Sequence, residues 1–129
     1  MTVSRAALVV AVATALAACG SEDQPAGAKS TLASGAVCPT PPPSDTYATF
    51  GQAFMTSYCT SCHSDGGMAP DHTFTYLDHI KAHAYDIDAK AGSGPNGEFA
   101  VMPPPSLATT FPLSSERKRL SVWIACGLP

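Results

Sequence analysis

Charge is scarce in this chain: 129 residues carry only 7 Lys and Arg and 10 Asp and Glu. Nothing in such a balance neutralises a phosphate backbone, which argues against nucleic acid as a partner. Long apolar runs are missing too. The N-terminal uncharged stretch of small and apolar residues, 6–18, rises only about 20 Å as a helix, against about 30 Å of hydrocarbon core, so a permanent transmembrane helix is not expected. Regular structure is further limited by 12 Pro and 10 Gly. Much of the proline is crowded into 39–43 and 103–105, where neither helix nor strand can run. The packed core is therefore restricted to roughly 80 residues, and domains of that size usually lean on disulfides, a metal or a cofactor. The chain has 5 Cys with which to do so.

The N-terminus places Arg5 before the apolar stretch 6–18 and a cysteine after it, the pattern of a secretory signal peptide. Leu16-Ala17-Ala18-Cys19 resembles the lipobox of bacterial lipoproteins, in which the cysteine is acylated and becomes the new N-terminus. Ala15-Leu16-Ala17 is also an ordinary A-x-A cleavage site, and the two readings differ in whether Cys19 carries lipid. With 1–18 removed, six Lys and Arg face ten Asp and Glu, a formal charge of −4 on the mature chain. Residues 19–45 are then expected to form a lipid-anchored tether. Rich in Gly, Ala, Ser, Pro and Thr, this segment has too little apolar surface to fold alone. Its 26 residues from Gly20 onward span at most about 85 Å when extended.

Chemistry concentrates in Cys59-Thr60-Ser61-Cys62-His63. A zinc site would need a second ligand pair, and the sequence offers no second close Cys pair and only His79 and His83 as a later histidine pair. A thioredoxin-like redox pair needs a strand just before the CxxC, whereas residues 46–58 have helical spacing. In an exported chain the remaining reading is haem c attachment. Two thiols form thioethers with the porphyrin vinyl groups, and the adjacent imidazole of His63 is thereby placed on one face of the iron. The sixth ligand in electron carriers is commonly methionine. Met102, 39 residues downstream in a loop stiffened by Pro103, Pro104 and Pro105, is the distal candidate. Met55 and Met68 are expected to pack against the haem or its edge, and His79 or His83 would be the competing distal ligand.

Together with this motif, residues 46–129 resemble a class I cytochrome c. The likeness rests on an ordered set of features: a helix before CxxCH with Tyr47, Phe50, Gly51 and Phe54 on one face, the motif itself, a methionine loop, and a final helix carrying Leu120, Trp123 and Ile124. That helix is expected to begin near Ser114 or Ser115, with Glu116 in its first turn, and to stop at Gly127. A middle helix over about 74–90 would wall the crevice with Leu77, Ile80, Ala84 and Ile87 and turn Asp78, Lys81, His83, Asp86 and Asp88 largely outward. The stretch 92–97 would break it. The resemblance implies an all-α, cytochrome c-like fold, its first and last helices crossing, around one covalently bound haem. It also implies a proline carbonyl, here that of Pro70, accepting the His63 ring N–H and so fixing its tautomer. The interval to Met102 is shorter than in longer members of the family, which leaves less covering over the crevice.

Cys38 precedes the first helix and Cys126 ends the last, so crossing of those helices would bring the two together as a disulfide closing 89 residues. The function this set implies is one-electron transfer rather than enzymatic turnover. The carrier would be a mono-haem protein of the bacterial cell envelope, held by its lipid on the periplasmic side and exchanging electrons with redox partner proteins, with no small-molecule substrate. The acidic balance suits partners with basic patches. Two alternatives keep the same haem: a ligand-binding or peroxidase-like domain in which Met102 leaves the iron open, and an anchored cytochrome subunit of a larger oxidoreductase.

Overall fold

Helix formation starts at Thr46, whose hydroxyl accepts the Thr49 N–H at 3.2 Å while the Thr46 N–H donates to the Thr49 hydroxyl at 2.9 Å. This reciprocal cap satisfies two otherwise orphaned donors. In the computed structural model, which describes residues 31–98 and 100–129, the chain then runs as one wide π turn over Tyr47–Gly51 and continues as helix α1 over Gln52–Tyr58. Phe50, Gly51, Phe54 and Met55 are buried along it. The last helix, α4, spans Ser114–Ala125, beginning where the Glu116 carboxylate accepts the Leu113 N–H at 2.8 Å. It ends in a Schellman turn: Gly127, at φ +85°, donates to Ile124 O at 2.9 Å, and Leu128 N–H donates to Trp123 O at 3.1 Å. Leu128 then folds back into the core.

The two helical segments meet at Gly51. A Cβ built there would fall 2.4 Å from the Trp123 ring, so only glycine permits this approach. Phe50 packs edge-on against Trp123 at 5.9 Å and against Phe54 at 5.6 Å. Leu120, Ile124, Ile80, Ile87, Ala91 and Phe74 complete the cluster. The expected disulfide joins Cys38 to Cys126, with Cα atoms 4.7 Å apart. The C-terminus is tied in as well, because Pro129 O accepts the Tyr47 N–H at 2.6 Å. Outside, Arg119 clamps the Asp45 carboxylate through contacts of 2.7 and 2.6 Å and lies over the Phe50 ring.

Between these segments the structure departs from the sequence reading in three places. The middle helix is two: α2 over Leu77–Ala82 and α3 over Ala84–Ala91, separated at His83 (φ −108°, ψ 14°). It also starts late, because Phe74 gives its N–H to His63 O at 2.9 Å and is drawn away from any helix. Asp88, expected to face outward, is fully buried and accepts the Ser34 N–H at 2.9 Å. The reason is the third departure. Residues 32–36 lie on the folded body instead of running free: Ser34 and Ala36 are buried, and Leu32 packs against the core. Their backbone finds partners in Asp88 and in Asn96, whose N–H donates to Ser34 O at 3.0 Å. The ordered domain thus begins well before residue 46. Residues 1–30, including the leader and Cys19, lie outside the described residues.

After α3, Ser93–Gly94 and Gly97–Glu98 form a two-residue antiparallel ladder (β1 and β2), with Ser93 opposite Glu98, across a Pro95-Asn96 turn. The architecture is otherwise helical, as expected. Among the described residues no helix is long and apolar enough to cross a membrane.

Candidate functional site

The CxxCH segment is a direct continuation of α1. Cys59 and Thr60 both donate to Met55 O at 2.9 Å, and Cys62 and His63 donate to Cys59 O at 3.1 and 2.8 Å. These stacked turns place Cys59, Cys62 and His63 together on the lining of one cavity of about 290 Å³. Both cysteines are free thiols. Phe54 and Tyr58 of α1, Phe74, and Ile87 and Ala91 of α3 make most of the same surface apolar. A loop from 102 to 112 contributes Met102, Pro103, Pro104, Leu107, Ala108 and Pro112.

His63 is fixed by the loop that follows it. Its Nδ1 lies 3.0 Å from His72 O, and since a carbonyl can only accept, Nδ1 carries the proton and Nε2 keeps the lone pair. The carbonyl is therefore that of His72, a correction to the assignment of Pro70. Pro70 instead opens the short 3₁₀ turn Pro70–His72, where its fixed φ suits the first position, and that turn delivers the His72 carbonyl. The loop closes back on the motif through Ala69 N–H to Cys62 O at 3.0 Å. The His63 ring stacks on Phe74 at 4.6 Å. The imidazole is thus held in tautomer and in plane before anything binds it.

Burial dominates the electrostatics. It pushes the Cys59 thiol up to about 12, against a smaller opposing pull from the Arg117 cation, so an unattached Cys59 stays protonated at neutral pH. Tyr58 is likewise raised, first by desolvation and then by Glu116, whose two carboxylate oxygens accept its hydroxyl at 3.1 and 3.0 Å.

Of the other sequence candidates, Met55 is buried in the helical core and Met68 is exposed, and neither lines the cavity. Both depart from the expectation that they would edge a bound group. His79 also points elsewhere, its Nδ1 paired with the Thr73 hydroxyl. His83, expected outward, is half-buried and does line the cavity, its ring 4.7 Å from that of His72. Sequence reasoning missed Phe74, the His72 carbonyl and Arg117. Only the last left a signal: Arg117 falls on the same helical face as Leu120 and Ile124, where a cation in a buried stripe is out of place.

The donor set suits haem c. Two free thiols three residues apart, an imidazole whose Nδ1 is held by a carbonyl, and Met102, exposed at the rim, line one largely apolar cavity, which provides two points of thioether attachment and candidate iron ligands. A zinc site fits less well, since among the described residues no group of three or more His, Cys, Asp or Glu is placed to hold a metal ion. Neither a family model, nor a curated protein, nor a solved structure matches this chain.

Proposed function

We propose that this chain is a mono-haem c-type cytochrome, similar to class I cytochromes c, that carries one electron at a time in the bacterial cell envelope. The observation that carries the reading is the convergence of Cys59, Cys62, His63 and Met102 on a single apolar cavity. Cys59 and Cys62 would hold haem c through thioethers, with His63 and Met102 as axial ligands. When bound, the group supplies a one-electron iron couple whose potential the methionine raises.

The chain's own residues do the rest. His72 O holds the Nδ1 proton of His63, which keeps Nε2 as the ligating atom and makes the ring a better donor. Phe54, Phe74 and Ile87 shield the site from water, so that a change of charge there would occur in low dielectric. Ligation by both His63 and Met102 would leave no iron position open to a substrate, which suits transfer rather than turnover. Acylation at Cys19 would hold the domain near a membrane on the periplasmic side. Redox partners with basic patches would suit its net acidic charge.

Visible spectra of the protein matured with haem-attachment machinery test the reading. A sharp low-spin reduced spectrum, with the weak long-wavelength band of methionine-to-ferric-iron ligation in the oxidised state, is expected. A high-spin spectrum would assign the chain to ligand-binding or peroxidase-like haem proteins, and absence of haem would end the reading.

A further inference from the structure

Among the described residues, the start of the methionine loop is fastened to the helical body from two sides. Val101 and Met102 both give their N–H groups to Lys90 O at 2.9 Å, near the end of α3. The other backbone group of Met102 is taken by Arg117: its Nη1 donates to Met102 O at 2.8 Å and to Ala91 O at 2.9 Å. Arg117 is a buried residue of α4, and Ala91 is the last residue of α3. One guanidinium nitrogen therefore caps an orphaned helix carbonyl and grips the loop with the same pair of protons. No other element donates to the Met102 carbonyl among the described contacts, and Pro103, lacking an N–H, adds no bond next to it.

We propose that Arg117 is a positioning residue for Met102, bridging α3 and the loop so that this methionine is held at the rim of the cavity, where its thioether can reach a bound group. The proposal rests on the reading of Met102 as an iron ligand. Arg117 donates to neither the thiols nor the imidazole in any hydrogen bond described, and its charge reaches Cys59 only as a minor pull, so the contact that bears on the methionine is the one to its backbone carbonyl. Lysine is an incomplete substitute, because its ammonium is more strongly hydrated and sits on a more flexible stem than the guanidinium nitrogen that reaches both carbonyls.

The test is displacement of the distal ligand in the ferric, haem-loaded protein by added imidazole, followed through loss of the long-wavelength methionine band. Arg117→Met is expected to bind imidazole at least about tenfold more tightly than wild type, the scale of a lost charge-assisted hydrogen bond, with Arg117→Lys in between. In a Met102→Ala background the same Arg117→Met change is expected to leave imidazole affinity unmoved, since the residue through which Arg117 acts is gone. Equal affinity in wild type and Arg117→Met overturns the proposal, as does an equally large shift in the Met102→Ala background. If Arg117→Met does not mature, Arg117→Lys is read instead: a several-fold tightening supports the proposal and no change overturns it. A wild-type protein that holds haem but lacks the methionine band overturns the assignment of Met102 itself, which is a separate and recognisable result.

Discussion

Residues 59–63 and residues 101–112 line the same cavity but are held by different means. The first segment continues α1, with every turn hydrogen-bonded to the one before and with Phe54 and Phe74 of the core beside it. The second belongs to no helix or strand, leaves Val101, Leu107 and Phe111 exposed, and hangs from Lys90 O and Arg117. Rigidity on the cysteine side is thus inherited from the whole core, whereas on the methionine side it comes from a handful of bonds. A core-backed wall should respond to global stability, and a bonded loop to local changes that leave the core intact.

Removing the indole that sits over Gly51 tests the core-backed side hardest. Trp123→Ala is expected to cost about 3–5 kcal/mol in urea unfolding of the haem-loaded protein, the usual range for a buried aromatic. A loss below about 1 kcal/mol would mean that the helical crossing does not support the cysteine wall. Next in size is the bridge from Cys38 to Cys126, which closes both ends of the domain around the core. Replacing both cysteines by alanine is expected to lower stability by about 2–4 kcal/mol, and the unfolding midpoint should move without loss of the methionine band.

Smaller effects separate surface from site. The Arg119 guanidinium beside Asp45 holds that carboxyl below the usual carboxylate range, first by hydrogen bonding and, to a lesser degree, by its charge. A carboxyl with a lowered folded-state pKa stabilises above its unfolded pKa and loses that contribution as pH falls through the folded value. Asp45→Asn is therefore expected to cost at most about 1 kcal/mol near neutral pH and nothing in strong acid, read as the gap between the two urea midpoints at each pH. A gap that persisted in acid would show that the ion pair is not its source. The smallest effect is expected from Pro70→Ala. Because His72 supplies the carbonyl to His63, the spectrum and reduction potential should stay in place. A shift in either would restore Pro70 as a determinant of the imidazole.

The contrast between the two walls also marks what could be read from sequence. Helical stripes betrayed Phe50, Gly51, Phe54, Leu120 and Trp123, because periodic burial against a partner helix leaves a periodic record. Gly127 and Glu116 announced the ends of α4 through local rules. The disulfide followed from the implied meeting of the first and last helices. What stayed hidden depends on backbone groups meeting across the chain. The His72 carbonyl carries no residue identity, and the break at His83 has no proline or glycine to signal it. Ser34 and Asp88 are 54 residues apart, and their bond turns an apparent tether into a packed strap and an apparent surface acid into a buried one. Composition assigned the first to solvent and helical spacing the second, because each weighs side chains and not the partners their neighbours provide.

Intact mass spectrometry of the denatured protein, matured alongside haem-attachment machinery, tests covalent binding at Cys59 and Cys62 most directly. The wild-type chain is expected to carry the mass of one haem, and the Cys59→Ser/Cys62→Ser double variant none. An unmodified wild-type mass, with both thiols still reactive, would contradict the assignment of this cavity to haem c.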